Sequence, residues 1–179
     1  MNNTELMERL NKAKNKDNEM AANELEARKE KVHTLSAECA EYTDVVKELI
    51  DTANALLDND YFEKNFSIFQ SEGWKHRVGF VYNRTTRHFD SMGVVNGGAC
   101  GDYDFHTTGE KSYLTHHEKS DPLETDEIFR TTIEFSGGYI RRNMDEYFVR
   151  GAERFLEEIN GFRNNFNNAV EKFFADKGV

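Results

Sequence analysis

A chain of 179 residues has room for one ordinary domain, with or without an extended appendage. Its net charge of −10 is spread out: residues 1–58 hold 8 basic and 13 acidic side chains, residues 59–142 hold 10 and 13, and residues 143–179 hold 5 and 7. None of these segments is net positive, which argues against nonspecific phosphate binding, a process driven by counterion release at Lys and Arg.

Hydrophobic residues make up 37% of the chain and charged residues 31%, a low apolar share for a compact globule, while the 12% aromatic content is too high for disorder. The balance predicts an elongated protein with a narrow core. No run of eighteen apolar residues is present, so no membrane span is expected. The first residues, Met1-Asn2-Asn3-Thr4-Glu5, lack the basic start and apolar stretch of a signal peptide. Two cysteines far apart, Cys39 and Cys100, imply no disulfide framework, and a cytoplasmic location is the expectation.

Residues 1–24 read as a polar lead-in or a short helix. Leu6, Leu10 and Ala13 start an apolar stripe, but Lys14-Asn15-Lys16-Asp17-Asn18-Glu19 interrupts it. Residues 25–58 read as one long helix. Leu25, Val32, Cys39, Val46 and Ala53 recur every seven residues, Leu35, Tyr42, Leu49 and Leu56 fill the alternate places, and Arg28 breaks the series once. This 3–4 spacing lays one apolar stripe along a helix that faces another.

Residues 143–177 repeat the pattern. Phe148, Phe155, Phe162 and Ala169 alternate with Ala152, Ile159, Phe166 and Phe173, with Gly151 and Gly161 each weakening the helix by roughly 1 kcal/mol relative to Ala. The two seams match in length, about 50 Å each at 1.5 Å per residue. The expectation is that they pack antiparallel, within one chain or between chains, in one overall domain.

The insertion, residues 59–142, reads as an antiparallel meander of four to five strands. Trp74 to Tyr82 alternates with the period of two that marks a half-buried strand, and Asn83 to Arg87 is a hairpin turn into a second strand, His88–Val95. Further strands are expected at Tyr103–Thr108, Ser112–His117 and Phe129–Phe135, with an acidic loop at Glu118–Glu127 in which Thr125 or Asp126 caps a helix start. Short connections favour antiparallel pairing over crossovers. The fold class is therefore α+β, with two long helices flanking the meander.

Several residues carry chemistry. Cys100 lies in the glycine-rich segment Gly97-Gly98-Ala99-Cys100-Gly101-Asp102, followed by His106, His116 and His117. A thiol near imidazoles is the arrangement of a nucleophile and its base. A thiol in a tight hairpin is the commoner meaning, and Asp102 and Asp104 would raise its pKa. His76, His88, His106, His116 and His117 all fall in the β region, but without the HxxxH or CxxC spacing of a metal site. The acidic loop lacks the spacing and central glycine of a calcium loop. Arg84/Arg87 and Arg141/Arg142 are paired cations suited to an acidic partner or to salt bridges. Cys39, on the helix seam, is a small hydrophobe.

No catalytic pattern stands out, and no cofactor or metal is expected. The residues point to a non-enzymatic protein–protein interaction module. In that reading a helical scaffold presents a sheet surface around Arg84, Arg87, Asp102, Asp104, His106, His116 and His117. The partner is another protein, with a second copy of the chain completing a homo-oligomer; neither nucleic acid nor membrane is expected to bind. Two alternatives come from other classes: a small acidic inhibitor, of mobile-element type, that blocks a basic nucleic-acid-binding enzyme, and a thiol- or metal-dependent enzyme using Cys100 and the histidines.

Overall fold

The computed structural model describes residues 2–63, 77–94, 103–116, 119–135 and 144–179. Among them, helices α1 (Asn3–Ala40), α2 (Thr43–Leu57) and α3 (Asp60–Glu63) come first. Strands β1 (Val78–Asn83), β2 (His88–Val94), β3 (Tyr103–Thr107), β4 (Ser112–His116) and β5 (Lys119–Leu123) follow. Helices α4 (Thr125–Phe135) and α5 (Met144–Asp176) close the chain. The strands form one antiparallel sheet in the order β1-β2-β3-β4-β5, so the fold is α+β.

Helix α1 runs straight through the polar stretch at residues 14–19. It contains neither Gly nor Pro, and Asn2 caps it by accepting the Glu5 N–H at 2.8 Å. The expected single helix over 25–57 is instead divided at Glu41–Tyr42. There Glu41 N–H and Tyr42 N–H donate to the carbonyls of Glu38 and Cys39, three residues back, so the last turn tightens and stops. The β3–β4 hairpin occupies that corner. Gly109, at φ 85°, approaches so closely that a Cβ would lie 2.4 Å from Thr43 Cα.

The core is built on α5. Phe148, Phe155, Ile159, Phe162 and Phe166 are buried, and Phe173 is half-buried. Val32, Leu35, Cys39, Val46 and Leu49 come to the same core from α1 and α2, with Leu25 and Tyr42 half-buried beside it. The sheet contributes Val78, Phe89, Met92, Phe105 and Leu114. Phe80 meets Phe162 and Phe166 at ring separations of 5.3 and 5.2 Å, and Phe105 meets Phe148 at 5.3 Å. Gly151, a helix-weakening residue by propensity, is needed here: a Cβ would lie 2.2 Å from Phe105 Cβ. Close helix–sheet packing offsets its propensity cost.

Two expectations are corrected by α4. The stretch Phe129–Phe135 is helix rather than strand, because these seven residues fit both periods in sequence and the core selects the helical one. Ile128 and Phe129 are both buried while Arg130 is exposed, an arrangement a half-buried strand does not allow. Asp126 and Glu127 stabilise the positive end of the helix. The helix then returns the chain to α1, where Phe129 meets His33 at 6.4 Å and lies 5.9 Å below Lys29 Nζ.

That return sets the direction of α5. Arg28 pairs with Asp145, Lys31 with Glu153, Tyr42 with Phe155 and Glu48 with Arg163, so contacts advance together along both segments. The N- and C-terminal helices therefore run parallel, not antiparallel. Arg28, the residue that breaks the apolar stripe, makes a bidentate bond to Asp145 at 2.7 and 2.5 Å. Asp145 is 3% exposed, in the first turn of α5.

The segment expected as an acidic loop contains β5. Pro122 sits opposite Thr115 there, tolerated because β5 is an edge strand.

Candidate functional site

The helices cover one face of the sheet, and alternation sends the intervening side chains to the other. On β4, Ser112 and Leu114 are buried while Tyr113 and Thr115 are half-buried; on β3, Phe105 and Thr107 are buried while Asp104 and His106 are half-buried. Register then places His106 opposite Tyr113 and Asp104 opposite Thr115. The ladder fixes a polar, aromatic patch on the outer face.

Val81, Tyr82, Asn83, Asp90, His106, Tyr113, Thr115, Pro122 and Arg84 enclose a shallow depression of about 400 Å³. His106 Nε2 lies 3.1 Å from Thr115 Oγ1, and its ring centroid is 5.5 Å from that of Tyr113. Burial lowers the His106 pKa, against the opposing pull of Asp104 and Asp90, so the ring is neutral at physiological pH. Burial likewise raises the Tyr113 pKa, against a hydrogen bond with Ser91, and its hydroxyl stays protonated. Gly93 leaves space beside them, since a Cβ there would lie 2.9 Å from Val81 Cγ2 and 4.0 Å from the His106 ring.

A neutral imidazole, a phenol and a threonine hydroxyl offer hydrogen bonds and aromatic surface, with Arg84 and Asp90 as rim charges of opposite sign. Chemically, such a set is able to exchange hydrogen bonds with a polar group placed in the depression.

Of the residues expected at a binding surface, Arg84 and His106 line this depression and Asp104 lies one register position away on the same face. Arg87 is in the β1–β2 turn at φ 59°, donating its N–H to the Asn83 carbonyl. His116 packs against Tyr103 at 5.0 Å, and Tyr103 in turn meets Tyr147 of α5, so it is not part of the patch. His88 is engaged elsewhere, its Nε2 2.6 Å from Asp58. Asp102, His117, Cys100, His76, Arg141 and Arg142 lie outside the described residues. Tyr113, Thr115, Asp90 and Tyr82 were not singled out by sequence. The signal for Tyr113 and Thr115 is their alternation with the apolar Leu114, which marks the opposite face.

Among the described residues no three His, Cys, Asp or Glu side chains come together as a metal-binding group. Cys39 is buried, and burial, against a hydrogen bond with Ser112, pushes its thiol up to about 12, which keeps it protonated. No helix among the described residues is long and apolar enough to cross a membrane. Comparison of this chain with family models, curated proteins and solved structures finds no match.

Proposed function

We propose that this protein is a non-enzymatic interaction module whose helices hold the sheet while its outer face binds another protein. The observation that supports this reading is the two-sidedness of the sheet. One face is closed by an aromatic core, and the other carries His106, Tyr113 and Thr115 around an open depression of about 400 Å³. Aromatic and neutral polar groups at the centre, with Arg84 and Asp90 at the rim, follow the composition of protein recognition surfaces.

The test compares capture from the native host by the wild-type protein and by His106→Ala and Tyr113→Ala variants, each with its helix content verified. A defined protein retained by wild type and lost with both variants supports the reading. Capture unchanged by both removes it. Capture that fades steeply with salt, whatever the state of the outer face, transfers support to an acidic inhibitor.

A further inference from the structure

Residues 3–24 of α1 form about 33 Å of helix, at 1.5 Å per residue, in which every residue is exposed. Leu6, Met7, Leu10 and Met20 are 40%, 55%, 53% and 61% exposed. A helix without tertiary packing is marginal in water, and its own side-chain pairs have to support it. Here they are poorly ordered for that purpose. Residues 9–16 hold Arg9, Lys12, Lys14 and Lys16 with no acid, and residues 17–26 hold Asp17, Glu19, Glu24 and Glu26 with no base. Bases therefore precede acids, the less favourable order for side-chain pairs along a helix. Arg9 pairs with Glu5, and Glu26 with Lys29, in exposed contacts of 3.1 and 3.6 Å. Lys12, Lys14, Lys16, Asp17 and Glu19 make no ion pair among the described residues.

The same order is self-complementary across a two-fold axis. Arg9, Lys12, Lys16, Glu19, Asn23 and Glu26 follow a 3–4 spacing and form one stripe along the helix. Turning a second copy end for end about a point between Asp17 and Asn18 sets Arg9 against Glu26, Lys12 against Asn23 and Lys16 against Glu19. Arg9, Lys16, Glu19 and Glu26 then each meet an opposite charge, twice over, and Lys12 meets the Asn23 amide. Leu6, Leu10, Ala13 and Met20 run alongside it and supply apolar contact. An interface that satisfies itself under two-fold rotation is the mark of a homodimer.

We infer that the projecting half of α1 is a self-association arm, which pairs antiparallel with the arm of a second copy through this charge-antisymmetric stripe. The docked bodies of the two chains then lie at opposite ends of the paired arms. This inference is independent of the outer sheet face, and His106→Ala or Tyr113→Ala should leave self-association unchanged.

Sedimentation of the full chain over a concentration series, at low and high salt, tests it with two charge variants. One is Arg9→Glu/Lys12→Glu/Lys16→Glu, the other Glu19→Lys/Glu26→Lys, with helix content checked by circular dichroism. Wild type should dimerise, less tightly at high salt, and each variant alone should weaken the dimer by about tenfold or more. Mixing the two variants should restore it, because an all-acidic stripe then faces an all-basic one. Wild type that stays monomeric up to about 1 mM at low salt overturns the inference. So does a mixture no tighter than its components, since complementary stripes would then not be what pairs the chains.

Discussion

Residues 25–40 and residues 3–24 belong to one uninterrupted helix, yet Val32 and Cys39 are fully buried while Leu6, Met7, Leu10 and Met20 stand 40–61% exposed. Local propensity does not separate the two halves, since neither contains Gly or Pro. What separates them is the stripe. In the docked half, apolar residues return at 3–4 spacing and meet the phenylalanines of α5, and Arg28 finds Asp145 where the stripe is broken. In the projecting half, the comparable line from Leu6 to Met20 is interrupted by Asp17, and charge follows its own order. Secondary structure is thus continuous where packing is not.

The strongest way to break the contrast is to empty the docked side. Phe155→Ala removes a fully buried ring that meets both Tyr42, at 6.1 Å, and Phe105, at 6.4 Å. A loss of about 3–5 kcal/mol is expected from denaturant unfolding. A loss below about 1 kcal/mol would mean that α5 does not hold the docked half in place.

Arg28 marks the boundary between the halves. Arg28→Met leaves the Asp145 carboxylate, 3% exposed, without its guanidinium. Breaking a buried pair costs about 3–5 kcal/mol, and the 28% exposure of the Arg28 side chain places this one at the lower end. Asp145→Asn in the same protein should recover part of the loss, as the double-mutant cycle would report. No recovery would show that Arg28 acts through its stem packing alone.

These contacts also show what was legible in the sequence. The seams from Val32 to Leu49 and from Phe148 to Phe166 were readable because a single period is sustained over many turns. Strands β1 to β4 were readable from alternation and turn residues. Of the helix at Thr125–Phe135 only the start was legible, because Phe129–Phe135 also alternates as a strand would and the contact of Phe129 with His33 and Lys29 decides for the helix. Missing that helix reversed the direction of α5, since it is the element that carries the chain back to the start of the docked half. At the outer face, His106 was visible by residue type. Its neighbours Tyr113 and Thr115 depend on strand register, which composition does not reveal.

A pH titration sharpens the contrast between buried and exposed ionisable groups. His106 is held neutral by burial, so its folded-state pKa lies below its unfolded value near 6.5. Below that value the unfolded chain binds a proton that the folded chain resists, and stability falls as pH drops from about 7 through the unfolded pKa. His106→Gln should flatten this slope. His88 has the opposite sign: its bond to Asp58 raises its pKa, and that contribution fades as pH rises through the folded value. Removing the opposing contribution with His88→Gln should therefore steepen the fall, and a slope left unchanged by His106→Gln would show that His106 does not carry it.

The smallest expected effect lies on the projecting half, and the direction of its concentration dependence is what carries information. Leu10 is 53% exposed and contributes no buried contact in the single chain. Truncating it to Ala removes little apolar surface that folding had taken from water, and Ala is the better helix former. In dilute solution Leu10→Ala should therefore change unfolding stability by no more than about 0.5 kcal/mol. At concentrations where arms pair, the same substitution strips apolar contact from both copies, and wild type should gain stability with concentration faster than the variant does. Denaturant curves for both proteins at the two ends of a concentration series measure this directly. A cost well above about 0.5 kcal/mol in the dilute limit would mean that Leu10 is already packed within its own chain, and the distinction between the two halves of α1 would fall.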